Sequence, residues 1–240
     1  MRARSFLDDY AAAAAAHFTD DLCALTMCHE QLHRGRGSNM SAIVRAARAG
    51  EIAAQPVIVI SDRPSAAGLA SARAQGVATA AWAGEAESGP FEQMLLTTLE
   101  TVQPDAIAFA GFMRILSPTL VGRYLGRMLN IHPSLLPAYR GLNTHRRVLA
   151  AGDTEHGASV HFVTPELDAG PIVLQSRVAV RAGDTEAALA ARVLATEHII
   201  YPRVIGWLGD GRLTWRAGAP WLDGQRLAAP ILEDFRASVA

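Results

Sequence analysis

Two cysteines in 240 residues, Cys23 and Cys28, are too few for a disulfide framework. No second pair of ligands stands near enough to make them half of a zinc site. That usage fits a reducing cytoplasm. Long apolar runs are also missing: none approaches the ~18 residues a membrane helix needs. No charge of one sign dominates. The 22 basic and 23 acidic residues leave a formal net charge of −1, so no strong field draws the chain to nucleic acid or to an anionic membrane surface. The start does not read as a signal peptide, because Asp8 and Asp9 precede the Ala11–Ala16 tract and that tract lacks a bulky apolar core. What is present is material for a core. Half of the residues are hydrophobic, the composition of a globular protein, and the length allows one large domain or two small ones.

From about residue 39 strand and helix signals alternate. Apolar positions 40, 43, 44 and 47 predict a helix over Met40–Ala49. Pro56–Ser61 and Ala106–Gly111 are short continuous apolar runs, the mark of strands buried on both faces. Helices are expected over Ser65–Gln75, Phe91–Val102, Pro118–Leu125 and Thr144–Ala151, strands over Ala78–Trp82 and Met128–His132, and a loop over Gly84–Pro90. Ser159–Val163 and Ile172–Val178 alternate and suit an antiparallel pair. Asp184-Thr185-Glu186 opens a long helix to about Leu208, with Pro202 near its last turns. The pattern predicts an α/β fold: a single doubly wound, mostly parallel sheet with helices on both faces, an antiparallel C-terminal portion, and ligands at the carboxyl ends of the strands. No internal repeat or composition break marks a second domain. Residues 1–21 read as an N-terminal extension, 22–228 as the domain, and 229–240 as a C-terminal tail.

Asn130 and His132 carry the chemistry. Positions i and i+2 of a strand share a face, so an amide and an imidazole leave the end of Met128–His132 together, just before the loop Pro133-Ser134-Leu135-Leu136-Pro137. Asp168 lies in the turn Leu167-Asp168-Ala169-Gly170-Pro171. Amide, imidazole and carboxylate suffice for acyl transfer without a covalent enzyme intermediate. Taken locally, each has a bland alternative: a buried Asn or His can be a satisfied core polar group, and Asp in a Gly/Pro turn is more often a turn former. His161 can be structural or line a cleft. Gly35-Arg36-Gly37-Ser38-Asn39 precedes a helix, and backbone N–H groups there can cradle a phosphate. No Lys follows, so this is not a Walker loop. Glu197, by default, is a solvated helix charge.

In combination these segments resemble the folate-dependent phosphoribosylglycinamide formyltransferase family. The resemblance runs from Gly37-Ser38-Asn39 through Ala110–Ser117, Leu129–Pro137, Thr144-His145, Glu155-His156-Gly157, Ser159–Val163, Leu167–Pro171 and Glu197-His198 to Trp221–Leu227. It implies a Rossmann-like formyltransferase domain that passes the formyl group of 10-formyltetrahydrofolate to the glycinamide amine in purine biosynthesis. By that resemblance Asn130 and protonated His132 hold the oxyanion, His132 passes a proton to the departing folate nitrogen, and Asp168 favours the charged form of His132. Gly37, Ser38, Asn39 and Glu197 would hold the phosphoribosylglycinamide. Met113, Arg114, Ile115, Leu116, Asn130, Thr164, Pro165, Glu166, Leu167 and Asp168 would hold the folate. The expected partners are small molecules, with no metal, nucleic acid or membrane, and the expected state is a cytoplasmic monomer or weak homodimer.

The chain departs from the family's pattern before Gly35. Where the family has a continuous apolar strand, it reads Cys28-His29-Glu30-Gln31-Leu32-His33-Arg34. Burying those groups unpaired costs a few kcal/mol each, about the scale of a whole domain's margin when summed. Two readings follow: a shortened strand over Leu22–Met27 with a loop over 28–34, or an N-terminal region that is not the ancestral one and weakens both fold and phosphate site. Ser88 stands where the family usually has a folate-binding Arg, and Asn143 where it often has His. Besides the transferase, a hydrolase giving the formyl group to water and an inactive folate- or nucleotide-binding protein fit the same residues.

Overall fold

The computed structural model describes residues 22–28, 37–82, 88–112 and 114–238. The N-terminal extension 1–21, the polar segment 29–36 and Met113 lie outside the described residues. Strands and helices first alternate strictly: β1 (Leu22–Cys28), α1 (Ser38–Arg48), β2 (Ala54–Ser61), α2 (Ala67–Ala74), β3 (Ala78–Ala81), α3 (Ser88–Val102), β4 (Ala106–Ala110), α4 (Pro118–Arg123) and β5 (Met128–His132). Then come α5 (Thr144–Ala151), β6 (Glu155–Phe162), β7 (Ile172–Ala179) and α6 (Glu186–Gly209). The short strands β8 (Leu213–Arg216), β9 (Ala219–Leu222), β10 (Gln225–Arg226) and β11 (Ile231–Asp234) close the chain.

Eight strands form one sheet in the order β11-β7-β6-β5-β4-β1-β2-β3, and β8, β9 and β10 form a small antiparallel sheet. The stretch from β3 to β5 is parallel throughout. β6 and β7 run antiparallel to their inner neighbours, the C-terminal arrangement expected from their alternation. β1 extends one residue past the shortened strand of the first N-terminal reading and pairs with both β2 and β4, in the middle of the sheet. The chain order reverses between β1 and β4, and such a switch point opens a crevice at the strands' carboxyl ends.

Alternation along the central strands sorts the two layers. Ile58, Ile60, Ile107, Phe109 and Met128 pack under α3 and α4 with Phe91, Leu95, Leu99, Leu120 and Val121. Val59 faces α1 and α2 with Met40, Val44 and Leu69. Ala108, Ala110, Leu129 and Ile131 face α6, where Val193, Ile200, Tyr201, Val204 and Ile205 are buried. Alanines on that side of β4 leave room for the helix. Tyr201 then reaches the sheet and its hydroxyl lies 2.9 Å from the Phe109 carbonyl and 3.0 Å from that of Leu129. Each large apolar side chain buried this way contributes roughly 1.5–3 kcal/mol before entropy is counted.

Three boundaries differ from the sequence expectation by more than two residues. α3 begins at Ser88, three residues before Phe91. Pro90 is tolerated because first-turn N–H groups have no helical partner to lose. β6 begins at Glu155 rather than Ser159. Residues 229–240, set apart as a tail, place Ile231–Asp234 on the sheet edge parallel to β7, fastened by Arg177 to Asp234 at 3.0 Å and Arg236 to Glu155 at 2.6 Å.

Candidate active site

β5 closes the parallel run, between parallel β4 and antiparallel β6, so its last residues emerge beside the crevice. Asn130 has the parity of Met128 and faces the α3–α4 layer. There it lines an open cleft with Phe109, Phe112, Arg114, Ile115, Leu116, Val121, His161 and the run Val163–Asp168. His161 lies opposite Asn130 on β6. Its Nδ1 is 3.0 Å from the Phe162 carbonyl, and its Nε2 is 3.1 Å from Asn130 Nδ2. A carbonyl only accepts, so Nδ1 carries the proton and the bare Nε2 accepts from the amide. Burial pushes the His161 imidazole below its ordinary value, against the Phe162 hydrogen bond and Asp168. A neutral ring therefore fixes the Asn130 amide and leaves one of its N–H groups and its oxygen to face the cleft.

His132 and Asp168 meet at the same end. Their side chains are 8% and 9% exposed, with Nδ1 3.4 Å from Asp168 Oδ2. His132 Nε2 lies 3.0 Å from the Tyr139 carbonyl. Asp168 Oδ2 also accepts the Gly141 N–H at 2.9 Å, and Oδ1 stands 3.9 Å from His161 Nε2. Both imidazole nitrogens of His132 thus face oxygen acceptors, and a protonated ring can donate from each. Asp168 sits at φ 48, a left-handed conformation that Asp tolerates better than most residues.

The loop after β5 is held from beneath. The buried Ser159 hydroxyl donates to the Ser134 carbonyl at 2.6 Å and accepts from the Leu136 N–H at 3.1 Å and Gln175 Nε2 at 2.8 Å. Gln175 Nε2 also donates to the Leu136 carbonyl at 2.9 Å. One donor and two acceptors are the full capacity of a hydroxyl, so this network is satisfied and rigid. Nearby, His145 Nδ1 lies 2.9 Å from His156 Nε2. Burial, with His145 and His132 adding to it, pushes His156 down to about 3.

A second cluster sits where α1 leaves the carboxyl end of β1. Gly37 takes φ 70 at the helix N-cap, and a Cβ there would fall 2.6 Å from Gly68 Cα. Asn39 Nδ2 donates to Glu197 Oε2 at 2.6 Å, joining α1 to α6. Burial pushes the Glu197 carboxyl up, opposed by that hydrogen bond. Asn39 Oδ1 is buried without a partner among the described residues.

Of the residues singled out by sequence, Arg114, Ile115, Leu116, Asn130 and Thr164–Asp168 gather on one cleft. His132 joins them through Asp168, and Gly37, Ser38, Asn39 and Glu197 form the separate α1–α6 cluster. Ile115 and Leu167 stand 74% and 58% exposed at the cleft, apolar surface suited to a flat ligand. Two supports were missed. Arg114 Nε donates to the buried Asp62 at 2.7 Å, and its guanidinium lies 4.9 Å from the Phe91 ring centre. Asp62 directly follows β2, and its place at a parallel strand's carboxyl end was the available signal. Tyr139 acts through its carbonyl, which no side-chain pattern reveals. Among the described residues, no group of three or more His, Cys, Asp or Glu side chains could hold a metal ion. No described helix is long and apolar enough to cross a membrane.

Comparison with known proteins places this site in context. Residues 31–205 match the formyl transferase family model. The chain is 50% identical over 195 residues to the phosphoribosylglycinamide formyltransferase of Escherichia coli, covering 80% of this chain and 92% of that one. The solved phosphoribosylglycinamide formyltransferase of Coxiella burnetii superposes with a TM-score of 0.80 at 42% identity, over 88% of this chain and 99% of the other. A formyltetrahydrofolate deformylase from Pseudomonas syringae shares the fold, with a TM-score of 0.76 at 21% identity over 84% of this chain and 66% of that one.

Proposed function

Because the chain belongs to the formyl transferase family, matched over residues 31–205, we propose that it moves the formyl group of 10-formyltetrahydrofolate onto the amine of phosphoribosylglycinamide. The observation that carries this reading is the convergence of Asn130 with the His132–Asp168 pair at one end of the cleft. The 50% identity to the Escherichia coli enzyme supports the same substrates.

In this reading the glycinamide amine attacks the formyl carbon and the carbonyl oxygen becomes an oxyanion. The Asn130 N–H that His161 leaves uncommitted, together with protonated His132, stabilises that charge. Donors aimed at a developing oxyanion are typically worth ~10²–10³ in rate each. The attacking nitrogen loses one proton and the departing folate nitrogen gains one, so the exchange balances through His132, with Asp168 as the counter-charge. Arg114, Ile115, Leu116 and Thr164–Leu167 hold the folate against the exposed apolar side of the cleft. Ser38, Asn39 and the backbone at Gly37 take the phosphoribosyl end at the α1 N-terminus, where N–H groups are free for an anion. Glu197 and the unpartnered Asn39 Oδ1 accept its hydroxyls.

The test mixes purified protein with 10-formyltetrahydrofolate, with and without phosphoribosylglycinamide, and follows deformylated folate spectroscopically. Turnover that requires the ribonucleotide is expected. Release at equal rate in its absence would make the protein a hydrolase. Ligand binding by folded protein without turnover would make it a binding protein.

A further inference from the structure

Each half of the His132–Asp168 pair is hydrogen-bonded to one short piece of backbone: His132 Nε2 donates to the Tyr139 carbonyl at 3.0 Å, and Asp168 Oδ2 accepts the Gly141 N–H at 2.9 Å. A carbonyl cannot donate, so His132 Nε2 carries a proton in every state of the ring. Which imidazole nitrogen does the work is set by the bond the other one makes. Here the bond at Nε2 leaves Nδ1, 3.4 Å from Asp168 Oδ2, as the nitrogen not committed to the backbone.

Tyr139 does not hold this position cheaply. Its φ is 57, a left-handed conformation that costs a non-glycine residue roughly 1–2 kcal/mol. Its side chain supplies the anchorage. The hydroxyl donates to Asp153 Oδ2 at 2.5 Å, and the Arg147 guanidinium carbon lies 5.2 Å from the ring centre. The same guanidinium donates to the Arg140 carbonyl at 2.7 Å, tying the next residue of the loop to α5. The ring itself packs against the core on the α6 side of the sheet.

We propose that Tyr139 is a positioning residue for the reaction: anchored by Asp153 and Arg147, its carbonyl locks His132 in the Nε2–H tautomer and assigns Nδ1 as the nitrogen that gains and loses the proton. The catalytic meaning of this rests on the formyl-transfer reading, but the tautomer does not.

The experiment therefore reads both. In uniformly ¹⁵N-labelled full-length protein, long-range proton–nitrogen correlation spectra report the His132 tautomer, with His132→Gln giving the assignment. The same preparations of wild type, Tyr139→Phe and Asp153→Asn are assayed for kcat and KM. Wild type is expected to show the Nε2–H form when neutral. Both variants should show a mixture of tautomers, with kcat down about ten- to a hundredfold, the scale of a displaced catalytic group, and KM for both substrates nearly unchanged. An Nδ1–H tautomer in wild type, or variants with wild-type tautomer and kcat, would overturn the proposal. If no variant or wild type transfers formyl groups, the spectra alone still decide whether Tyr139 sets the tautomer, and the functional reading fails separately.

Discussion

At the scale of single residues, Asp168 is the most exposed to test. It accepts from Gly141 with one oxygen and faces His132 with the same edge. Asp168→Asn keeps an acceptor for Gly141 and tolerates φ 48, but it removes the counter-charge. The rate should drop by about 10²-fold or more, within the usual range of acid–base help, while the thermal melt stays near wild type; a near wild-type rate would remove Asp168 from the mechanism. His156 gives a pH signature. Its folded value is about 3 against an ordinary 6.5, so between those values the unfolded chain binds the extra proton. Stability from this group is complete above 6.5 and is lost as pH falls toward 3, by up to about 1.4 kcal/mol per pH unit. Denaturant unfolding across that window should show a steep acid limb that flattens in His156→Gln; equal limbs would contradict it. Asn130, His132 and Asp168 were legible because their residue types and turn settings are unusual together. His161 was not, because a histidine in a buried alternating strand looks the same whether it fixes an amide or merely fills space.

At the scale of elements, the helix that begins the proposed phosphate cradle depends on one glycine. Gly37 combines φ 70 with a 2.6 Å approach to Gly68 Cα, so Gly37→Ala must both strain the backbone and push α2 away. We expect a loss of about 1–3 kcal/mol in denaturant unfolding, together with a raised KM for the ribonucleotide and an unchanged KM for the folate. A rise in both KM values would place the damage in the whole fold rather than in the cradle. Continuous apolar runs made β2 and β4 easy to locate, and alternation revealed the β6–β7 pair. The first half of β6 was hidden because Glu155-His156-Gly157 has no apolar period. Gly157 is there since a Cβ would lie 1.8 Å from the Ser176 carbonyl, a constraint set by the neighbouring strand rather than by local propensity. β11 was hidden for a related reason: four edge residues after a proline carry too little pattern, and their place comes from register with β7 and from Arg177 and Arg236.

At the scale of the whole molecule, function follows from strand order. The parallel run β3-β2-β1-β4-β5 puts the ends of β1 and β5 on one edge of the sheet, so the α1 cradle and the Asn130–His132 end open to the same side. α6 closes the arrangement by bringing Glu197 to Asn39 and Tyr201 to the backbone of β4 and β5. The polar residues after Cys28 made a central first strand look costly, yet Leu22–Cys28 pairs on both sides. In the proposed reading the two substrate ends sit at separate clusters on that side, and the reaction is transfer between them. The direct measurement is ¹³C NMR with 10-formyltetrahydrofolate labelled at the formyl carbon and phosphoribosylglycinamide as acceptor. The label should pass quantitatively into a formamide resonance of the ribonucleotide. Its appearance as free formate, at a rate indifferent to the ribonucleotide, would contradict the account.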